Sequence, residues 1–242
     1  MHRQRMIASD TFTLLFALGL LLAVLAVAVS IASLARLWQS GFRGWGRTFQ
    51  ALILGLVLAS PLGIAVSWGL TYPATNDVAT TGALPGLVLA HNPEERRLPA
   101  AATAAAFPNA VARTYTLPPD KIFALVSGLA ADRQWDVRIS RKPVTPGYPG
   151  RLNALAMTLL GYRDEVAILV DRSADGSVVS MRSASLFGIR DLGVNGLRIE
   201  AFLTDLDQAV TEAQRDGPII DGLTPGASTP DANGTGQDGS GG

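Results

Sequence analysis

Arg182-Ser183-Ala184-Ser185-Leu186-Phe187-Gly188-Ile189-Arg190-Asp191-Leu192-Gly193-Val194-Asn195-Gly196-Leu197-Arg198-Ile199-Glu200-Ala201-Phe202 is the stretch whose reading decides the fold. It reads as a strand that ends, a turn punctuated by Gly188 and Gly193, and a helix that begins near Asp191. An acid at a helix start accepts from unpaired amides and complements the dipole. Beyond it Ile199, Phe202, Leu203, Leu206, Val210 and Ala213 recur at helical spacing, so this last helix has one apolar stripe to bury.

Working upstream, alternating or apolar runs at Leu152 to Leu160, Glu165 to Asp171 and Val178 to Phe187 predict strands, with Ala174-Asp175-Gly176 as a hairpin turn. Trp135, Val137 and Ile139 alternate with Asp136, Arg138 and Ser140 and predict a half-buried strand. Pro118-Pro119-Asp120 opens a helix whose Ile122, Phe123, Val126, Leu129 and Ala130 share a face, and Val111 to Leu117 precedes it as a further strand. The expected fold is α+β: a small antiparallel sheet of about five strands with two amphipathic helices on one face, in the order strand, helix, four strands, helix. A helix-grip arrangement, with the last helix lying in a curved sheet, is the second architecture this order allows.

The first third of the chain obeys different physics. Thr11 to Ala35 and Phe49 to Leu70 carry no charge, and at roughly 1.5 Å per residue each is long enough to cross a hydrocarbon core. Arg36, Arg43 and Arg47 between them are interleaved with Trp38, Phe42 and Trp45, a headgroup-layer composition, while Trp68 and Tyr72 suit the opposite interface. A cleaved signal peptide is the competing reading of the first run, which is long for one. Gly55, Ala59 and Gly63 form a small-residue stripe that lets the two helices approach, and Pro61 needs a neighbour to satisfy the carbonyl it frees. No Lys or Arg falls between Thr71 and Glu95, so the arginine loop is placed in the cytoplasm and the C-terminal domain outside it. The resulting division is an N-terminal tail at 1–10, a transmembrane hairpin at 11–70 (helices 11–35 and 49–70), a linker at 71–110, the soluble domain at 111–214, and a disordered Gly/Ser/Pro/Asp tail at 215–242.

Composition narrows the chemistry. There is no cysteine, only His2 and His91, and 20 basic residues balance 20 acidic ones. Disulfides, thiolate nucleophiles and Cys-ligated zinc are therefore excluded, a multi-His metal site is not expected, and no bulk charge draws the chain to nucleic acid. No cofactor is expected. The unusual polar residues of the soluble part gather in the opening stretch. Read as a site, Arg182, Asp191, Asn195 and Arg198 would hold a carboxylate or phosphate group between two guanidiniums beside a helix start. Read as structure, Asp191 caps the helix, Gly188 and Gly193 shape the turn, Asn195 ties the loop, and Arg182 pairs across strands with Asp164 or Glu165. Ser183 and Ser185 share a strand face, with no His or Lys in that stretch to activate them. An acid pair, Asp164 with Asp191, is the one catalytic arrangement available; Asp164 and Glu165 are adjacent and point to opposite faces of a strand.

At Asp164-Glu165, Arg182-Ser183-Ala184-Ser185, Gly188, Asp191-Leu192-Gly193-Val194-Asn195 and Arg198-Ile199 the chain resembles the bacterial and plastid domain-of-unknown-function family 1499. The likeness runs from about Asn76 to Leu206, with Asn76-Asp77-Val78-Ala79-Thr80 similar to that family's leading motif. It implies membrane helices ahead of the domain, as in many relatives, and brings no established activity. Glu165 stands where the family usually has a second Asp, Thr81 where an Asp is common, Leu186 where an Arg is common, and Arg190 where a small hydroxyl residue is common. The expectation is a domain anchored in the bacterial inner membrane and facing the periplasm: a non-enzymatic binding or assembly module for a protein or an anionic lipid or cell-wall component. The lipid bilayer is its expected partner and nucleic acid is not. A hydrolase or transferase using Asp164 and Asp191 is the alternative.

Overall fold

A computed structural model describes residues 8–40, 44–90, 97–144 and 147–215. The C-terminal tail from Asp216, His2, Arg43 and His91 lie outside the described residues. Within them the chain is α+β, with five helices and an open, wholly antiparallel six-stranded sheet. Two apolar helices come first, α1 (Ser9–Ser40) and α2 (Trp45–Thr71). Then follow β1 (Asp77–Ala79), α3 (Ala100–Ala106), β2 (Arg113–Tyr115), α4 (Pro119–Asp132), β3 (Asp136–Arg141), β4 (Gly150–Met157), β5 (Arg163–Ser173), β6 (Gly176–Ser185) and α5 (Val194–Arg215).

Both α1 and α2 are long and apolar enough to cross a membrane, and Leu14, Leu18, Leu25, Leu54 and Leu58 are turned outward, as a lipid-facing helix requires. The helices extend further than the uncharged runs suggested. At roughly 1.5 Å per residue they measure roughly 48 and 40 Å, more than the hydrocarbon thickness of about 30 Å. They meet at Gly55, where an added Cβ would stand 2.9 Å from Val27 Cγ2; Gly63 has nothing within 4 Å, so the small-residue stripe is used at one point and not along its length. Pro61 cannot bond the Val57 carbonyl, and the Ser60 hydroxyl does so instead at 2.8 Å.

The sheet runs β1-β6-β5-β4-β3, and β2 also pairs with β6. Its centre is the β5–β6 hairpin, where Ser173 opposes Gly176 across Ala174-Asp175. Alternate residues of the strands (Val78, Leu152, Ala154, Ala156, Val166, Ile168, Val170, Val179, Met181) join Ile122, Phe123, Val126 and Ala130 of α4 and Ile199, Phe202, Leu203, Leu206 and Val210 of α5 in one core. Each such large side chain contributes roughly 1.5–3 kcal/mol on burial, an upper figure when the denatured chain is partly collapsed.

Three expectations need correction. The sheet has six strands, not about five, because Asp77–Ala79 pairs with Ala184–Arg182 on the free edge of β6. The 71–110 segment is not a bare linker: the helical turns that its alanine run at 100–106 suggests are there as α3, but it also holds β1, and its residues 86–90 hydrogen-bond to side chains of the sheet. On β3 a register shift between Val137 and Ile139 breaks the alternation and leaves Val137 exposed, although Trp135 stacks on Phe202 at 5.2 Å as an inward residue should.

Candidate functional site

The strand register settles which polar residues can meet. Side chains of β5 and β6 alternate between faces, so Asp164, Ser183 and Ser185 lie with the core residues Val166, Ile168, Val179 and Met181, whereas Glu165 and Arg182 lie on the reverse face. The four residues grouped from sequence are thus divided by the sheet. Asp191, Asn195 and Arg198 come together at the start of α5, and Arg182 belongs to another cluster.

On the α5 side the network is closed. Both Asp191 oxygens cap the helix start, accepting from the Gly193 amide at 3.0 Å and the Asn195 amide at 2.9 Å. Helix α5 itself begins at Val194, three residues later than the sequence suggested, because Leu192 and Gly193 both hold positive φ in the turn. The Asn195 amide group uses its full capacity. Its Oδ1 accepts from Ser183 Oγ at 2.6 Å and Arg198 at 2.7 Å, and its Nδ2 donates to the Asn76 carbonyl at 3.2 Å and Ser185 Oγ at 3.0 Å. Arg198 also donates to Ser183 Oγ at 2.9 Å and forms a 2.6 Å ion pair with Asp164. Asn195, Ser183 and Asp164 are all but fully buried, so each bond is made where water cannot replace it.

The reverse face carries two more buried acids with dedicated partners. Arg182 is held by Asp77 of β1, 2.9 Å from Nε to Oδ1 and 2.6 Å from the terminal nitrogen to Oδ2, a two-point guanidinium–carboxylate pair. The expected pairing of Arg182 with Asp164 or Glu165 is therefore corrected: in register Arg182 stands opposite Ala167 and Ala79, with Asp77 on the diagonal. Glu165 accepts the backbone amides of Val88, Leu89 and Ala90, each at 2.7 Å, and the Asn153 side chain at 2.8 Å. Asn153 and Arg151 in turn hold the Gly86 carbonyl. Glu165 is thus the post to which the 86–90 segment is tied.

The α5 start also receives α2. Tyr72, which ends α2, lies against Gly193 and stacks on Phe107 at 5.5 Å; a Cβ on Gly193 would fall 2.5 Å from the Tyr72 ring, and one on Gly196 2.4 Å from Phe107. Gly188 bonds Asn76 through its carbonyl, and the Asp191 amide bonds the Thr75 carbonyl. Sequence reasoning missed Asp77, Asn153 and Phe107, and read Tyr72 as an interfacial ring without its contacts to Gly193 and Phe107. The first stood inside the quoted leading motif, in a stretch with no Lys or Arg, and needed only a partner.

Burial raises the Asp191 carboxyl above its ordinary 3.8, with the Asp164 charge adding to the rise and the amide bonds from Asn195 and Gly193 opposing it. A raised carboxyl binds its proton more tightly folded than unfolded, so its contribution to stability declines as pH climbs from 3.8 through the folded value, and is level above it. In Asp191→Asn that slope disappears. The stability difference, wild type minus variant, is expected to shrink steadily with rising pH across this window when melting is followed by circular dichroism; a difference independent of pH would contradict the burial assignment.

For chemistry the arrangement leaves little free. Asp164 is spent on Arg198 and both Asp191 oxygens on backbone amides, so the two carboxylates of the paired-acid reading have internal work. Among the described residues no three His, Cys, Asp or Glu side chains lie together as a metal site would need. A hollow of about 190 Å³, lined by Asp120, Tyr148, Asp171 and Arg172 among others, contains none of the motif residues.

These features define a class: a small α+β domain whose motif residues fasten two loops and the last helix to a sheet, carried behind two apolar helices. The family model described as Protein of unknown function (DUF1499) matches residues 88–206, and the chain belongs to that family through this domain. The matched span opens in the segment tied to Glu165 and ends within α5, so β1 and its Asp77 precede it. Comparison with curated proteins gives no match.

Proposed function

We propose that this protein is a membrane-anchored, non-enzymatic binding or assembly module of the bacterial envelope, its helix pair crossing the inner membrane and its domain, two helices covering one face of the sheet, standing in the periplasm. The observation that carries the reading is the way α2 ends: Tyr72 passes without a linker into the packing around Gly193, Phe107 and the capped start of α5. A domain fastened so directly to a membrane helix is held at fixed height and orientation, which serves presentation of a surface to a partner better than turnover of a diffusing substrate. The absence of Lys and Arg from Thr71 to Glu95 supports the outward orientation.

An anionic ligand at Arg182, Asp191, Asn195 and Arg198 is the less favoured form of this reading. It would have to displace Asp77 from Arg182 or Asp164 from Arg198, and the two arginines lie on opposite faces of the sheet. The partner is instead sought on the exposed surface. In native membranes, photo-crosslinkers at the exposed positions Val144, Tyr148 and Arg172 are expected to yield a discrete adduct with an envelope protein or cell-wall fragment. Absence of any adduct across the exposed surface, or labelling of the domain only from the cytosol, would overturn the assignment.

A further inference from the structure

The membrane-facing end of the domain carries apolar side chains that no part of the described chain covers. Tyr162, in the turn between β4 and β5, places its hydroxyl 2.6 Å from Thr13 Oγ1 and its ring edge-on to Phe12, both in the first turns of α1. The same ring stacks on Phe187, in the loop between β6 and α5, at 5.5 Å. On the other side of that loop Leu192 reaches Gly69 in the last turn of α2. Two loops of the domain therefore lie level with the point where α1 begins and α2 ends. From them project Leu159, 88% exposed, and Ile189, 68% exposed, with Leu160 and Leu186 also open, as is Leu70 in the last turn of α2 at 84%.

Exposed large apolar residues gathered at one end of a domain mark a contact surface. Here the occupant follows from position. Helices of roughly 48 and 40 Å overrun a hydrocarbon core of about 30 Å, so their domain-side ends stand in the headgroup layer, where Tyr, Trp and Phe rings settle. Trp68, Tyr72, Tyr162, Phe12 and Phe187 form such an aromatic belt. Arg163 and Arg190 flank the two loops and make no ion pair among the described residues, leaving them to meet lipid phosphate.

We propose that the Met157–Leu160 turn and the Leu186–Ile189 loop insert into the headgroup region of the leaflet that α1 and α2 share on the domain side, so that the domain is seated on the bilayer rather than suspended from α2. The proposal rests on the membrane-anchor reading. Because the chain has no cysteine, single substitutions suffice to test it. Leu159→Cys, Ile189→Cys, Leu58→Cys and Asp175→Cys are each labelled with an environment-sensitive fluorophore in the full chain and reconstituted in vesicles of phosphatidylcholine and phosphatidylglycerol, with and without acyl-chain bromination. Brominated lipid is expected to cut fluorescence at 159 and 189, less strongly than at 58 in the middle of α2, and to leave 175, at the far β5–β6 turn, unchanged. Quenching at 58 without quenching at 159 and 189 overturns the proposal and leaves the anchor standing. Loss of quenching at 58 removes the anchor reading itself. Protection of 159 and 189 from aqueous iodide without bromolipid quenching assigns the surface to protein, a second copy or another chain, and also overturns it.

Discussion

Arg198→Ala is expected to destabilise the domain by about 3–5 kcal/mol, enough to unfold many domains of this size, because it strands a carboxylate that the fold has taken out of water. Asp164 is 1% exposed, and the Arg198 guanidinium at 2.6 Å is the ion-pair partner it has. Ser183 and Asn195 each lose a donor in the same change. Asp164→Ala should cost a similar amount by leaving the guanidinium buried without its acid. The double variant Asp164→Leu with Arg198→Met removes both charges and is expected to recover most of the loss, since a buried ion pair contributes little over apolar groups of matching volume. Thermal unfolding of the full chain in lipid nanodiscs, followed by circular dichroism, measures all three. The ordering discriminates between the two readings of this residue: an Arg198→Ala chain that melts like wild type but no longer retains a bound anion would make Arg198 a ligand-binding residue after all.

That ordering also explains what sequence could and could not show. The apolar stripe of α5 and the β5–β6 hairpin were legible because helices and strands repeat with fixed periods, and many residues report each period. Asp191, Asn195 and Arg198 were legible as one helix-start group because their spacing alone places them within two turns. Arg182 was misplaced for the opposite reason: which acid it meets depends on strand register, and one step along a strand moves a side chain to the other face. Its partner sits on β1, three residues long, too short to display any alternation. The role of Glu165 was invisible in a stronger sense, since its partners are backbone amides of Val88, Leu89 and Ala90, and amides carry no sequence identity. The tie between α2 and α5 depended on ring contacts at Gly193 and Gly196, where the sequence announces a missing side chain but not what fills its place.

Glu165→Ala should produce the second large effect, and a local one. Three amides and the Asn153 side chain converge on one carboxylate, and hydrogen bonds to a charged group are worth about 1.5–3 kcal/mol each. Their sum is not the expected loss, because a segment with no anchor can lift from the sheet and bond to water. The expected cost is therefore about 3 kcal/mol, on the scale of one or two such bonds, with the rest recovered by hydration. Hydrogen exchange gives the sharper readout: the amides of Val88, Leu89 and Ala90 should change from strongly protected to freely exchanging, while those of β5 and β6 keep most of their protection. Glu165→Asp should fall between the two. It retains the charge but withdraws it by one methylene, about 1.5 Å, which stretches bonds now at 2.7 Å past useful length unless the segment follows. An Asp variant whose 88–90 amides stay fully protected would show that the covering segment has the slack to follow the shorter side chain. Unchanged exchange in Glu165→Ala would remove the tie altogether, and the hold on this segment would pass to Arg151 and Asn153 at Gly86.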